Sequence, residues 1–174
     1  MVSKRTLFIL AAILIAAASR LFPHPPNFTA IGALALFGGA MFSNRLLGFV
    51  APFAAMFLTD LILGLHETMG SVYLSFALTV FIGYFIGSER TKSTFLKVLF
   101  APLASSLLFF VLTNFHMWAV ADEFYSRDFQ GLIACFTAAI PFYSSTLVSD
   151  MFFTYVMFGS YFLVEQKLPS LVKA

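Results

Sequence analysis

Apolar residues run through this chain in long blocks, separated by short stretches that are polar or carry proline. The blocks have the length of membrane spans, since crossing about 30 Å of hydrocarbon takes roughly 20 apolar residues. The pattern predicts helix 1 over 6–22, helix 2 over 29–42, helix 3 over 46–65, helix 4 over 71–87, helix 5 over 94–116 and helix 6 over 142–164. Pro23, Pro25 and Pro26 lack amide donors and end helix 1. Ser43, Asn44 and Arg45, and the run from His66 to Gly70, form polar turns, and the charged stretch 88–93 forms a loop. Lys4 and Arg5 followed by an apolar run ending in Ala16, Ala17 and Ala18 resembles a secretory signal. The apolar run continues past Arg20 into Leu21 and Phe22, so the expectation is a retained first span.

Helix 2 is short, since its residues at about 1.5 Å each reach only about 21 Å. Gly32, Ala33, Ala35, Gly38, Gly39 and Ala40 give it small faces, which suit a helix packed between close neighbours. It crosses or re-enters, and charge decides between the two. Six crossings place Lys4, Arg5, Arg45, Arg90, Lys92, Lys97, Lys167 and Lys173 on one side, and only Arg20 and Arg127 on the other. That asymmetry puts both termini in the cytoplasm. A re-entrant helix 2 would put Arg90, Lys92 and Lys97 outside. The longest outer segment is then 117–141, in which the apolar stretch 131–140 is too short to span and is expected at the interface or as a lid. Pro141 is read as the first residue of helix 6, where its missing N–H costs nothing.

Composition sharpens the class. The 174 residues are 60% hydrophobic and 10% charged, with a mean hydropathy of +0.93. A soluble domain carries roughly a quarter charged residues, so the expected fold is an all-α integral membrane protein, six helices in one compact bundle with the lipid bilayer as solvent. The net charge of +2 is small and dispersed and gives no reason to expect a nucleic-acid partner. Cys135, the single cysteine, excludes an internal disulfide and reads as a small packing residue.

Ionisable groups inside spans are costly, at roughly 2.5–3.5 kcal/mol each on insertion scales, and usually face a cavity or a partner. In this topology they gather in the outer third. Arg20 ends helix 1, Asp60 lies near the outer end of helix 3, Asn114 and His116 end helix 5, and Asp150 lies in helix 6. His24, Asn27, His66 and Glu67 fall in the outer loops. An outward-open polar pocket closed below by apolar packing follows. Tyr143, Thr146, Asp150 and Thr154 share a face of helix 6, as do Phe53, Met56, Asp60, Gly64 and Glu67 of helix 3. The competing reading is that Arg20 pairs with Asp60 or Asp150 only to hold the bundle. His24, His66 and His116 beside Asp60 offer metal-type ligands, but they lie on separate segments without ligand spacing, and no metal site is assigned. Trp118 at the outer interface either anchors the chain or stacks on a planar ligand. The chain contains no phosphate-binding loop, serine-hydrolase or metalloprotease motif. No internal repeat of the kind found in inverted-repeat carriers stands out.

Several segments resemble a widespread bacterial family of uncharacterised membrane proteins. They are Pro26-Asn27-Phe28 leading into 33–40, Asp60 to Gly64, Asn114-Phe115 with Trp118, 131–136, and Ala139 to Phe142 followed by Asp150, so the resemblance covers about residues 20–160. That family in turn is similar to the substrate-capturing S components of energy-coupling factor (ECF) transporters. The resemblance implies a six-helix bundle in the bacterial cytoplasmic membrane, both termini inside, binding a vitamin or precursor in an outward pocket. It implies no enzymatic activity and no cofactor, with a separate membrane coupling protein and ATPase subunits as partners. Ala12 and Ala16 match the small-residue motif by which helix 1 of S components docks the coupling protein. Arg20 lies eight residues from Ala12, about 80° around the helix, so docking and binding groups fall towards one side.

The expected substrate-binding residues are Arg20, Asn27, Asp60, Asn114, Trp118 and Asp150. Arg20 would meet an anionic or carbonyl group, and the two aspartates would accept hydrogen bonds or balance Arg20. The rival classes are a structural or assembly membrane protein without ligand, and a metal-ion transporter or metal-dependent membrane protein.

Overall fold

The computed structural model describes residues 4–42, 44–87, 91–121 and 123–167, with residues 4–10 described by their backbone alone. Ser43, residues 88–90 of the 88–93 loop (Arg90 among them), Asp122, Lys173 and both chain ends (1–3 and 168–174) lie outside the described residues, as do the side chains of Lys4 and Arg5. The described residues form six helices: α1 (Lys4–Leu21), α2 (Ile31–Met41), α3 (Arg45–Leu63), α4 (Met69–Ile86), α5 (Lys92–Val120) and α6 (Phe129–Lys167). Four of them, α3 to α6, are long and apolar enough to cross a membrane. Large apolar side chains such as Leu14, Ile15, Phe57, Ile62, Phe85 and Phe152 are exposed on the bundle's outside. Such a surface fits a membrane protein, because lipid rather than water is its natural solvent.

Local chemistry sets the ends. Asn44 caps α3, its side chain accepting from the Leu46 N–H at 2.9 Å, and Gly64 ends it at φ 100°. Thr91 caps α5, accepting from the Thr94 N–H. Asp128 caps α6, with one carboxylate oxygen accepting from the Gly131 N–H and from the Ser126 hydroxyl, both at 2.8 Å. These hydrogen bonds, the backbone one first, hold its carboxyl below the ordinary carboxylate range.

Two sequence expectations are corrected here. The stretch 131–140 is not a lid but the first turns of α6, and Pro141 lies inside that helix rather than at its start. The stretch packs on α5, where Phe136 meets Phe110 at 5.4 Å and the Cys135 thiol donates to the Asn114 carbonyl. At about 1.5 Å per residue, 39 residues reach roughly 58 Å, so α6 extends beyond the hydrocarbon core. Likewise α5 runs to Val120 rather than 116. Pro52, Pro102 and Pro141 all lie inside helices, which membrane bundles tolerate because neighbours re-satisfy the freed carbonyls.

Side-chain contacts fix the directions. Phe95 meets Phe162 and Phe110 meets Tyr143, so α5 and α6 are antiparallel. The His116–Ser71 and Phe109–Phe76 contacts set α4 against α5, and Phe49–Phe81 with Asp60–Tyr73 set α3 against α4. Gly32 lies beside Asp150, and Phe37 beside Phe158, so α2 runs parallel to α6. The short α2 therefore carries the chain from one end of the bundle towards the other. It is the central helix, with Ile31 to Ala40 all buried.

Lipid is as apolar as a leucine side chain, so close packing rather than water exclusion must hold α2 in place. Glycines permit it. A methyl group on Gly39 would overlap the Val80 carbonyl, one on Gly83 would overlap the Leu36 carbonyl, and Gly38 and Gly48 face each other backbone to backbone. Backbone cannot swing aside as a side chain can. Gly39→Val is therefore expected to destabilise by roughly 1–3 kcal/mol. Gly159→Ala, where nothing lies within 4 Å, should be neutral or gain up to about 1 kcal/mol of helix propensity. Thermal unfolding of both variants in detergent checks this, and equal melting of the two would refute the close-approach account.

Ala12 and Ala16 are corrected too. Both are buried, Ala16 fully, within the core that includes Ala55, Phe37 and Phe158. They face the bundle, and the outward face of α1 is Ala11, Leu14 and Ile15. The shared side of Ala12 and Arg20 is thus the inner side.

Candidate functional site

Because α2 begins at Ile31, level with the middle of α6, its missing upper turns leave space at the Arg20 end of the bundle. A cavity of about 360 Å³ fills that space, with lining residues from every helix and from the connectors 22–30 and 64–68. A smaller one of about 120 Å³ adjoins it at Asn27, Asn114 and Thr146 and reaches Tyr143. At the opposite end the bundle is packed shut, with Phe37 meeting Phe42, Phe158 and Tyr161 edge to face at 5.2–6.1 Å.

The connector from α1 to α2 shapes the mouth. Ser19 accepts from the Ala30 N–H at 2.9 Å, and the Ser149 hydroxyl lies between the Asn27 carbonyl at 3.3 Å and its own helix's Thr146 carbonyl at 2.9 Å. These bonds tie the connector to α1 and α6. Asn27 takes a left-handed conformation, φ 62°, which asparagine tolerates better than most residues. His24 folds back, its ring nitrogens 2.7 Å from the Pro25 carbonyl and 3.2 Å from the Arg20 carbonyl.

Arg20 lines the cavity but is already engaged. Its guanidinium lies 2.8 Å from Asp60 and donates to the Thr59 hydroxyl and the Met56 carbonyl. The N–H bonds aim at Thr59 and Met56, so the contact with the near oxygen of Asp60 is a charge pair rather than an aligned hydrogen bond. The other oxygen of Asp60 accepts from the Tyr73 hydroxyl at 2.8 Å. Asp60 is 1% exposed and lies behind Arg20, outside the cavity lining.

Asp150 differs. It lies at the deep end of the cavity with Ser105, Thr79 and Gly32, and is only 5% exposed. No cation lies within ion-pair distance among the described residues, and its one hydrogen-bond contact is a long one with the Ser105 hydroxyl at 3.5 Å, for which the Pro102 carbonyl at 3.2 Å competes. Gly32 permits the carboxylate to lie flat against α2, since a methyl group there would overlap it.

Of the residues expected in the pocket, Arg20, Asn27, Asn114 and Asp150 converge on the cavity. Asp60 and Trp118 do not. The Trp118 indole donates to the Ser126 carbonyl at 2.9 Å and its ring meets Phe115, so it secures the α5–α6 turn. The hydroxyls of Thr79, Ser105 and Thr113, which no sequence pattern marks, also line the cavity. His24 and His66, expected among the outer polar groups but not assigned as binding residues, line it too. His66 contacts the Thr68 hydroxyl and His116 contacts Ser71. No group of three metal-type ligands converges among the described residues.

Residues 2–171 match the sequence profile of DUF6580, described as a family of unknown function, and the chain belongs to that family. No curated protein and no solved structure matches it.

Proposed function

We propose that this DUF6580 member is a membrane-embedded substrate-binding subunit for uptake of a small micronutrient, a vitamin or precursor, resembling ECF S components. In this reading it crosses the bacterial cytoplasmic membrane six times, both termini lie inside, and the cavity opens outward. It performs no chemistry itself, and a coupling protein with ATPase subunits drives it. The burial of Ala12 and Ala16 moves any docking surface away from that pair.

One observation carries the reading: the carboxyl group of Asp150, buried and with no counter-ion among the described residues, lies at the floor of a cavity of about 360 Å³. An ionisable group is expensive to bury without a partner, so its place beside a polar cavity rather than in apolar packing supports a ligand site. The volume is in the range of small-molecule sites, about 300–1,000 Å³. The wall combines the apolar faces of Phe76, Phe109 and Met117 with a few convergent polar groups, as such sites do. The structural rival draws on the Arg20–Asp60 pair, which is already closed.

Ligand binding to the folded state adds RT ln(1 + [L]/Kd), about 2.7 kcal/mol at a hundredfold excess. A screen of vitamins and precursors by thermal unfolding is therefore expected to find a compound that raises Tm by several degrees. If a broad screen finds none, the structural reading replaces this one.

A further inference from the structure

The charges around the cavity do not balance. Arg20 and Asp60 neutralise each other, while the remaining titratable residues of the lining are His24, His66 and Asp150. Asp150 is thus the one uncompensated acid of the lining, and it sits at the floor.

Hydrogen-bond direction adds an independent observation. A hydroxyl has one proton to give, and three hydroxyls of the lining give theirs to their own helices. Thr79 donates to the Ser75 carbonyl, Thr113 to Phe109 and Thr146 to Phe142, at 2.7–2.9 Å. The amide nitrogen of Asn114 likewise donates to the Phe110 carbonyl at 2.7 Å. What these groups have left to offer is mainly lone pairs. Spare lone pairs around the Asp150 carboxyl group at the cavity floor match a ligand end rich in donors.

From this geometry we infer that the cavity selects a small organic cation, an amine or amidinium-like group, and seats its charged end against Asp150. The assignment rests on the ligand-site reading above and narrows its substrate class. It also reverses the expectation that Arg20 receives an anion, because Asp60 has already claimed that charge. Further donors, Arg20, His24, His66 and the Asn27 amide, belong to the end of α1 and to the connectors at the mouth, so the neutral or acceptor end of the ligand faces outward.

The test reads the cavity's selectivity directly. In a Cys135→Ser background, Thr113→Cys places a thiol in the lining, and Leu65→Cys provides a control at an exposed loop position of the same end. Each is reacted with cationic trimethylammonioethyl and anionic sulfonatoethyl methanethiosulfonate. A cleft of one charge sign concentrates counter-ions tenfold or more. The cation-to-anion rate ratio at Thr113→Cys should therefore exceed that at Leu65→Cys by about tenfold. Benzamidinium should protect the cavity thiol, its isosteric anion benzoate should not, and Asp150→Asn should remove both preferences.

A ratio no higher than the control, or equal protection by benzoate, overturns the assignment even if Asp150→Asn disturbs folding. A folded Asp150→Asn protein that keeps the bias overturns it too. If the bias is absent while the vitamin screen still finds a stabilising compound, the charge assignment falls and the ligand-site reading stands. If the bias is present and no compound stabilises, uptake falls and the charge selectivity stands.

Discussion

Asp60→Asn is expected to destabilise the folded protein by about 3 kcal/mol or more. The substitution leaves Arg20 facing the bundle interior without its counter-charge, and breaking one partner of a buried pair typically costs about 3–5 kcal/mol. Arg20 is 16% exposed and Asp60 1%, so water relieves the stranded arginine better than it would the stranded aspartate. Arg20→Ala should accordingly be the worse of the two. The double variant Arg20→Met with Asp60→Leu removes both charges and should recover much of the loss, as apolar replacement of buried pairs does elsewhere. Unfolding of the wild type, Arg20→Met, Asp60→Leu and the double variant in detergent checks this as a double-mutant cycle. Additive losses would mean that the pair carries no coupling, and its role in joining α1 to α3 would have to be abandoned.

Asp150→Asn should behave in the opposite way. It removes a buried carboxylate that has only a long bond from Ser105, so the empty protein should be as stable as wild type or more so. Affinity should collapse. Loss of one partner of a buried charged contact costs roughly 2–5 kcal/mol, which is about thirtyfold or more in Kd. The proposed function thus divides the work between the two aspartates, with Asp60 expected to hold the bundle and Asp150 the ligand. Equal destabilisation by both substitutions would erase that division.

Much of the fold was legible because its causes are local. Span-length apolar blocks, the proline cluster after helix 1 and the small residues of 32–40 located the first four helices to within a few residues and anticipated the buried α2. The α5–α6 region misled for two reasons. Pro141 was read through its preference for a helix's first turn, whereas the start is set by Asp128. An aspartate three residues before Gly131 and ahead of an apolar run is a recognisable capping signal. The length of 117–141 then drew attention to a lid where the chain simply continues two long helices.

The site was legible in its charges and not in its hydroxyls. Depth along each helix is readable by counting, so Arg20, Asn114 and Asp150 could be placed at one end. Rotation relative to a neighbour is not, so the choice between Asp60 and Asp150 as the partner of Arg20 stayed open until α1 and α3 were seen side by side. Thr79, Ser105 and Thr113 gave no warning, because each bonds to its own helix and looks like any membrane threonine or serine. The one hint was the Tyr143–Thr146–Asp150–Thr154 stripe, of which Thr146 and Asp150 line the main cavity.

The central claim is that the cavity above α2 is a ligand site whose floor is Asp150. Its most direct test is thermal unfolding of the wild type and Asp150→Asn side by side, across a panel of vitamins and precursors weighted towards organic cations. At least one compound is predicted to raise Tm of the wild type by several degrees and leave Asp150→Asn, itself folded and no less stable, unmoved. No shift in the wild type, together with an Asp150→Asn protein that melts well below it, would contradict the claim and make Asp150 a packing residue.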